Sequence, residues 1–287
     1  MDNTVKGELS IISHMLLWSL FPIFTIFTFL TLPSLYSASF STLFAALFFS
    51  IVLAYKKKWS ELLIKEAWID IIIASFFIGV FYYGLYFIGL KFTTAGNASI
   101  ASLMELFFSF LVLGVWGKEK IYLKKVIGAV LMFIGALILL LPKASGINYG
   151  DLIIVSATII TPFGNYFMQR ARKKVSSITI MFVRSFISSI SLFFLALFFF
   201  PLPTFTDITS SLIFLIPNGI IFLGLSKILW IEGIHRIQIT KANSLSTITP
   251  LFTIIFSYFL LKEVITTNQI FGAIPIIIGA NLILKKK

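Results

Sequence analysis

The sequence contains no cysteine, which excludes disulfide bonds, thiolate metal sites and cysteine nucleophiles. Charge is also scarce: charged residues make up 12% of the chain, against about 25% in soluble domains. There are two histidines, and neither the H-E-x-x-H zinc motif nor the G-x-x-x-x-G-K-[ST] phosphate loop occurs. Zinc proteolysis and nucleotide hydrolysis are therefore not expected, and the sequence predicts no cofactor, no metal site and no enzyme.

Apolar residues make up 59% of the chain, and the mean hydropathy is +1.02. This composition indicates an integral membrane protein with many spans, each needing roughly 20 apolar residues. We expect no cleavable signal, because the first apolar run is too long and no small-residue cleavage site follows it. The ten apolar runs cover residues 9–30, 34–55, 67–90, 94–117, 122–141, 147–168, 177–199, 209–231, 239–261 and 266–284.

The connectors between these runs differ sharply in positive charge. With the N-terminus placed inside, 18 of the 23 Lys and Arg residues fall on inner segments. Three fall on outer segments, namely Lys91, Lys143 and Lys262, and two lie within spans. Lys and Arg accumulate on the cytoplasmic side of membrane proteins, so both termini are predicted to be cytoplasmic. The net charge of +12 is then a matter of topology and requires no nucleic-acid partner.

One stretch of the sequence occurs twice. Residues 118–136 and 262–280 align at a constant offset of 144, and eight of nineteen positions are identical, including Lys118-Glu119 with Lys262-Glu263. The chain is thus predicted to consist of two repeats, residues 1–143 and 144–287, with five spans each. Since five is odd, the second repeat enters the membrane from the opposite side, an arrangement typical of secondary transporters. The alternative is a duplication without a transport role.

At these residues the chain resembles the drug/metabolite transporter superfamily, specifically its EamA-type members with ten helices. The resemblance covers almost the whole chain and is carried by the 5+5 pattern and by Pro250, Leu261-Lys262-Glu263, Gly272 and Gly279. It implies a multi-pass transporter of the bacterial inner (plasma) membrane with a cavity lined mainly by helices 1, 3, 4, 6, 8 and 9. Family members carry amino acids, nucleotide-like compounds and other small metabolites, often outward as in metabolite export.

The first repeat departs from this pattern in its fourth helix. Pro250 of the ninth helix aligns with Met104, and Glu105 follows directly. Glu105 lies about eleven residues into its span, near the bilayer midplane, where a carboxylate usually faces a cavity or a partner. Glu105 is therefore the leading candidate to bind a proton or a substrate amine. The alternative is a neutral carboxyl that is hydrogen-bonded to a neighbouring helix.

Aromatic candidates lie on the first and third helices. His14 can change its charge near neutral pH and precedes Trp18 by one turn. Tyr82 and Tyr86 share a helix face, on which they could stack against a planar or cationic ligand. The alternatives are a histidine bonded within the bundle and ordinary aromatic packing in a chain with 33 phenylalanines.

Polar candidates lie on the fourth, sixth and ninth helices. Pro162 should kink the sixth helix, and Asn165 and Gln169 follow it on one face. Asn97 and Asn243 are matched positions of the two repeats, among small residues that let helices approach closely. Binding or gating is one reading of these amides, and hydrogen bonding between packed helices is the other.

The eighth helix carries Asn218 after Pro217, then Lys227 and Trp230. Lys227 either snorkels towards the membrane surface or neutralises a carboxylate of the substrate or of Glu105. The chain's remaining intramembrane cation, Arg184, is expected to snorkel or to pair structurally.

These features together predict a secondary transporter, gradient-driven or facilitative, that moves small polar metabolites by alternating access. Amino acids or their derivatives are the favoured substrates, because the predicted cavity combines one acid, one or two bases, amides and aromatics. The expected partners are the lipid bilayer, the substrate, and protons or another coupling ion, and a monomer suffices. Two alternatives stay open, namely a non-transporting membrane scaffold and a membrane-embedded enzyme or lipid-handling protein.

Overall fold

The structure is a computed structural model that describes residues 2–116, 122–140 and 148–284. Throughout these ranges the chain is helical, without strands, and ten helices are long and apolar enough to cross a membrane. The charged residues Lys118, Glu119, Lys120, Lys143, Lys285, Lys286 and Lys287, which enter the predictions above, lie outside these ranges. The ten helices are α1 (Asn3–Thr28), α2 (Ser34–Tyr55), α3 (Lys65–Leu90), α4 (Ala95–Val112), α5 (Leu123–Leu140), α6 (Tyr149–Ala171), α7 (Ser177–Phe199), α8 (Phe205–Arg236), α9 (Lys241–Leu260) and α10 (Thr267–Leu284).

The predicted all-helical fold with ten spans is confirmed. Because the number of spans is even, α1 begins and α10 ends on the same side of the bundle, which we call the terminal face. The opposite side is called the far face. Each half has five spans, so the second half has the inverted topology that was predicted. The cytoplasmic location of the terminal face and the division at residue 143 stay predictions.

Two helices extend further than their apolar runs. α1 begins at Asn3 because the side chain of Asp2 accepts from the backbone of Thr4. α8 is 32 residues long. A capping box between Thr204 and Asp207 starts it, and an exposed ion pair between Glu232 and Arg236 lies in its last turn. Caps and pairs of residues four apart stabilise polar helix ends that hydropathy does not detect.

The third helix of each half widens at the same place. Ser75–Tyr82 in α3 and Pro217–Leu225 in α8 are π-helical, with α-helix on both sides. Each widened segment brings a glycine against a neighbouring helix. A Cβ on Gly79 would collide with Ser188 of α7, and one on Gly219 would lie 2.5 Å from the carbonyl oxygen of Ser41 in α2. π-helical segments occur frequently at functional sites.

Three further helices are interrupted at mid-depth. α4 breaks at Leu103 and α9 at residues 247–248, which are matched regions of the two halves, although only α9 has a proline there. α6 breaks at residues 159–160, directly before Thr161-Pro162, as its proline predicts. Interrupted backbone at membrane depth is tolerated where it faces protein or a cavity.

The repeated glycines hold α5 and α10 together. A Cβ on Gly128 would lie 2.6 Å from the carbonyl oxygen of Gly279, and one on Gly135 would lie 2.6 Å from that of Gly272. The duplication maps Gly128 onto Gly272 and Gly135 onto Gly279, so each contact is the symmetry copy of the other. Close backbone approach at small residues is a common way to associate membrane helices.

A loop carboxylate caps α7 at the terminal face. Glu61 accepts from the backbone N–H of Ser176, which starts α7, at 2.8 Å, and from the Thr179 hydroxyl. Lys58 lies 3.0 Å from the same carboxylate. Burial alone would raise the pKa of Glu61, but the hydrogen bonds from Thr179, Ser176 and Lys58 outweigh it and lower the pKa to about 2. A charged carboxylate also interacts favourably with a helix N-terminus.

Gly135→Leu should destabilise the α5–α10 contact, because its side chain would occupy the space of Gly272 and Ile276. Forcing extra carbons into a packed site costs about 1–3 kcal/mol. The measurement is the fraction of protein that stays monodisperse after heating in detergent. Val130→Leu, on the exposed side of α5, is the matched control and should behave as wild type. Equal heat resistance of the two variants would contradict the glycine contact.

Glu61→Gln should lower the melting temperature at neutral pH and have a diminishing effect in acid. The folded-state pKa, about 2, lies below the ordinary value of 4.5. The stabilisation from the charged form is therefore complete above pH 4.5 and is lost as the pH falls through 4.5 towards 2. Melting temperatures of wild type and variant between pH 7 and 3 should converge at the acid end. Glu232→Gln is the control. A difference in melting temperature between wild type and Glu61→Gln that stays constant with pH would refute the role of Glu61 as a charged cap.

Candidate functional site

A cavity of about 640 Å³ lies between the two halves of the bundle. Its walls come from the six helices that the family resemblance implies, namely α1, α3, α4, α6, α8 and α9, and also from α7. At its mouth lie Lys125 of α5, Leu284 of α10 and the exposed Arg172 after α6. All three belong to the terminal face, so the cavity opens there.

The cavity extends most of the way across the bundle. Its deepest wall includes Tyr86 of α3 and Ser99 of α4, each four residues from the far end of its helix. At 1.5 Å per residue this leaves about 6 Å of helix before the far face. Parts of the interruptions in α3, α4 and α9 also line the cavity, as do Thr161 and Pro162, which directly follow the break in α6. The broken backbone is thus placed where a membrane protein can accommodate it.

Glu105 lies in the wall of the cavity, two residues after the break in α4. Its Oε1 accepts a hydrogen bond of 2.8 Å from Nδ2 of Asn165 on α6. The two predicted polar residues therefore meet across the boundary between the halves, since α4 belongs to the first and α6 to the second. This pairing leaves further acceptor capacity on a carboxylate that can accept about four hydrogen bonds.

Stacked rings form one side of the cavity. Trp18 stacks on Phe21 with ring centroids 4.8 Å apart, and Phe21 stacks on Tyr86 at 5.8 Å. His14 lies 5.2 Å from Trp230, and its Nδ1 donates to the backbone carbonyl of Ser226 at 2.9 Å. The histidine is therefore held in one orientation by α8, and the surface beside it suits the flat or apolar part of a ligand.

Two cations face the same space. The ammonium of Lys227 lies 3.3 Å from the centre of the Trp18 ring, a close cation–π contact. Arg184 of α7 is 7% exposed and lies in the cavity wall, with its guanidinium 5.9 Å from the ring of Tyr83. Both cations line the same cavity as Glu105. The sequence favoured snorkelling or structural pairing for Arg184, and the structure instead places it in the wall of the cavity.

Ten of the twelve residues predicted to bind substrate or couple transport line this cavity, and two do not. Asn97 and Asn218 are completely buried elsewhere. Asn218 donates to the hydroxyls of Thr25 and Ser41, both at 3.0 Å, and so links α8 to α1 and α2. The ten that line the cavity are His14, Trp18, Tyr82, Tyr86, Glu105, Asn165, Gln169, Lys227, Trp230 and Asn243.

The far face is closed by a loop carboxylate. Lys262 has a φ of 54°, a left-handed turn that ends α9 and brings Glu263 towards α4. Glu263 accepts from the backbone N–H groups of Ala95 and Gly96 at 2.9 and 3.5 Å. Its charge faces the positive end of the α4 dipole. Beside it, Gln269 donates to the hydroxyl of Thr94 at 3.1 Å.

A second pair of residues closes the far face, and the matching pair at the terminal face does not form the same hydrogen bond. Asn97 of α4 donates to the carboxylate of Asp151 in α6 at 2.6 Å, and both are completely buried. The duplication maps Asn97 onto Asn243 and Asp151 onto Glu8, at the terminal face. There Asn243 lines the cavity, while Glu8 pairs with Lys241. The hydrogen bond between Asn97 and Asp151 therefore has no copy at the terminal face, where Glu8 is bonded to Lys241 of α9 and not to Asn243.

A metal site has no support in the described part of the chain. Within residues 2–116, 122–140 and 148–284, no three His, Asp or Glu residues lie close enough to hold a metal ion.

The EamA-like transporter family model matches the chain twice, over residues 5–141 and 148–285. The chain belongs to the EamA-like transporter family. It is therefore a multi-pass membrane protein of a transporter family, and the two matches correspond to the two halves of five spans described above. The resemblance to the drug/metabolite transporters is confirmed.

Similar proteins carry the same general description. The chain is 24% identical over 280 residues to the uncharacterized transporter YoaV of Bacillus subtilis, covering 96% of this chain and 95% of the relative. It is 28% identical over 209 residues to an uncharacterized transporter of Haemophilus influenzae, covering 69% of each. One crystal structure of a protein superposes with a TM-score of 0.68 at 18% identity, covering 96% of this chain and 95% of that one, and supports the fold.

Glu263→Gln should open the far face, because it removes the charge that caps α4. A charge-assisted hydrogen bond contributes about 1.5–3 kcal/mol, so closure should weaken roughly tenfold. The measurement uses the absence of native cysteine: Ser99→Cys deep in the cavity is labelled by a membrane-impermeant maleimide added at the far face.

The labelling rate should rise several-fold when Glu263→Gln is combined with Ser99→Cys. Proteoliposomes of known orientation define the face at which the reagent is added. Glu232→Gln on the exposed end of α8 is the matched control and should leave the rate unchanged. An unchanged rate in the Glu263 variant would show that its carboxylate does not hold this face closed.

Proposed function

We propose that this EamA-like protein is a secondary transporter that moves small polar metabolites across the membrane by alternating access. The observation that carries the proposal is the unequal state of matched residues in the two halves. Asn97 and Asp151 are bonded at the closed far face, whereas at the terminal face Asn243 faces the open cavity and Glu8 is paired with Lys241, two residues before Asn243. Exchanging the states of the two halves would close the terminal face and open the far face.

This exchange needs a fixed part and a moving part. The glycine contacts between α5 and α10 and the hydroxyl of Ser39, which donates to the carbonyl of Ser189 at 2.8 Å, join the halves away from the cavity. The interrupted helices α4, α6 and α9 surround the cavity and carry the closing residues. Rocking of one repeat against the other around a central site is the usual way in which inverted repeats transport.

The favoured substrate is small and polar or zwitterionic, such as an amino acid or a derivative. Glu105 binds a substrate amine or a coupling proton, and Lys227 faces a carboxylate. The stacked rings of Trp18, Phe21 and Tyr86 accept the less polar part of the molecule. Transport is driven by a gradient or by exchange, because the sequence lacks the phosphate loop of a nucleotide-driven pump.

The protein is proposed to lie in the plasma membrane of a bacterium with its terminal face in the cytoplasm. The excess of Lys and Arg in the segments on that face supports this orientation. The cavity would then be open to the cytoplasm, the state in which an exporter collects its substrate and an importer releases it.

Reconstitution with a mixed substrate pool tests the proposal. Purified protein in liposomes is exposed to a metabolite extract with and without a pH gradient, and mass spectrometry identifies what accumulates inside. One class of polar compound should enter well above the level in empty liposomes. Accumulation equal to that in empty liposomes would favour the scaffold alternative and overturn the proposal.

Glu105→Gln should change the response of transport to pH. The amide keeps the shape and the hydrogen bond to Asn165 but carries neither a proton nor a charge. Uptake of the accumulated compounds should fall at least tenfold, or lose its dependence on the pH gradient. Glu232→Gln serves as the matched control. Full transport with unchanged pH dependence in the Glu105 variant would remove this residue from the mechanism.

A further inference from the structure

Arg184 lies in the wall of the same cavity as the residues of the predicted site. It lies on α7, about seven residues from the terminal end of the helix, with 7% of its surface exposed. The π-helical segment of α3 accommodates it, since a Cβ on Gly79 would lie 3.4 Å from Cγ of Arg184. The repeat offsets of 143 to 146 place the counterpart of Arg184 within residues 38–41 of α2, none of which is charged, so the arginine is specific to the second half.

The guanidinium has no acidic partner among the described residues. Its Nη1 lies 3.6 Å from the sulfur of Met168, and its Nε is buried without a hydrogen bond. A buried arginine ordinarily pairs with a carboxylate, because an uncompensated charge in a dry environment is costly. Nε and a terminal nitrogen together form the edge that binds a carboxylate through two parallel hydrogen bonds.

The second cation in the cavity is similarly placed. Lys227 contacts the face of Trp18 and lines the same cavity as Arg184. None of the ion pairs found within 4 Å in the described ranges includes Lys227, Arg184 or Glu105. Glu105 already accepts from Asn165. The deep cavity therefore holds two cations and one carboxylate, and the mouth adds Lys125 and Arg172.

We propose that Arg184 and Lys227 form an anion site, and that the transported substrates are organic acids with a net negative charge. The substrate carboxylate contacts the guanidinium of Arg184, and Lys227 contacts the same group or a second acidic group. An acidic ligand compensates the positive charge of the two side chains, whereas a cationic ligand would add to it. This inference rests on the proposed transport function and narrows its substrate class, from polar or zwitterionic compounds to acids.

The substrate class is tested with wild-type protein alone. Proteoliposomes are given a metabolite pool whose members are sorted by net charge at the assay pH, and the accumulated compounds are identified by mass spectrometry. Net-anionic compounds should predominate. Accumulation mainly of zwitterions, neutral compounds or cations would overturn the anion site while leaving the transport function intact. No accumulation above empty liposomes would overturn both.

The residue is tested with three variants. Arg184→Gln should reduce uptake of the accumulated anions at least tenfold. Arg184→Lys keeps the charge but not the two-pronged edge, so it should raise KM with little change in the maximal rate. Arg236→Gln, on the exposed end of α8, is the matched control and should transport as wild type.

The Arg184 variants also separate binding from a structural role. Each is first checked for monodispersity in detergent and for its melting temperature. If Arg184→Gln does not fold, the KM of Arg184→Lys decides, because loss of packing alone would lower the amount of active protein without raising KM. Anion uptake and KM that are unchanged in folded Arg184 variants would refute the assignment.

Discussion

The hydrocarbon core of the membrane cannot satisfy backbone hydrogen bonds, and this constraint organises the whole protein. A spanning chain must be helical, and a break in a helix is tolerated only against protein or a water-accessible space. Here the breaks in α4, α6 and α9 and the π-helical segments of α3 and α8 all occur at mid-depth, and most of them border the cavity. These irregularities would be costly if they faced lipid. In this protein they determine the shape of the cavity. They also let glycines such as Gly79 approach a neighbouring helix.

The two halves share a scaffold but differ in their site. Gly128 with Gly279 and Gly135 with Gly272 are symmetry copies that join α5 to α10. The charged groups of the cavity have no such copies, because Glu105, Arg184 and Lys227 each lack a charged counterpart at the matched position of the other half. Symmetry is thus retained in the contact that joins the halves and is absent from the charged groups of the cavity.

Much of the fold was predictable because span number depends only on apolar length, and inversion follows from an odd number of spans per repeat. The helix ends were less predictable: α8 continues to Arg236 through a polar pair that hydropathy does not register. The π-helical segments could not be predicted from the sequence, because the apolar runs that contain them show no helical periodicity. The depth of Arg184 in the membrane was predictable from its position along α7. The direction of its side chain was not, because a helix that is apolar on all sides does not reveal which face borders the cavity. Asp151 was matched to Glu8 by the repeat, but its bond to Asn97 required the structure.

The position of the charges along the chain has a mechanical consequence. The acid, Glu105, belongs to the first half, whereas Arg184 and Lys227 belong to the second. Any rotation of one half against the other changes the distance between Glu105 and the two bases. A hydrogen bond within one half would not be changed by such a rotation. A molecule that bridges the two is held most tightly at one separation only. In the proposed transport cycle, the conformation of the protein and the strength of substrate binding would therefore depend on each other without a separate coupling element.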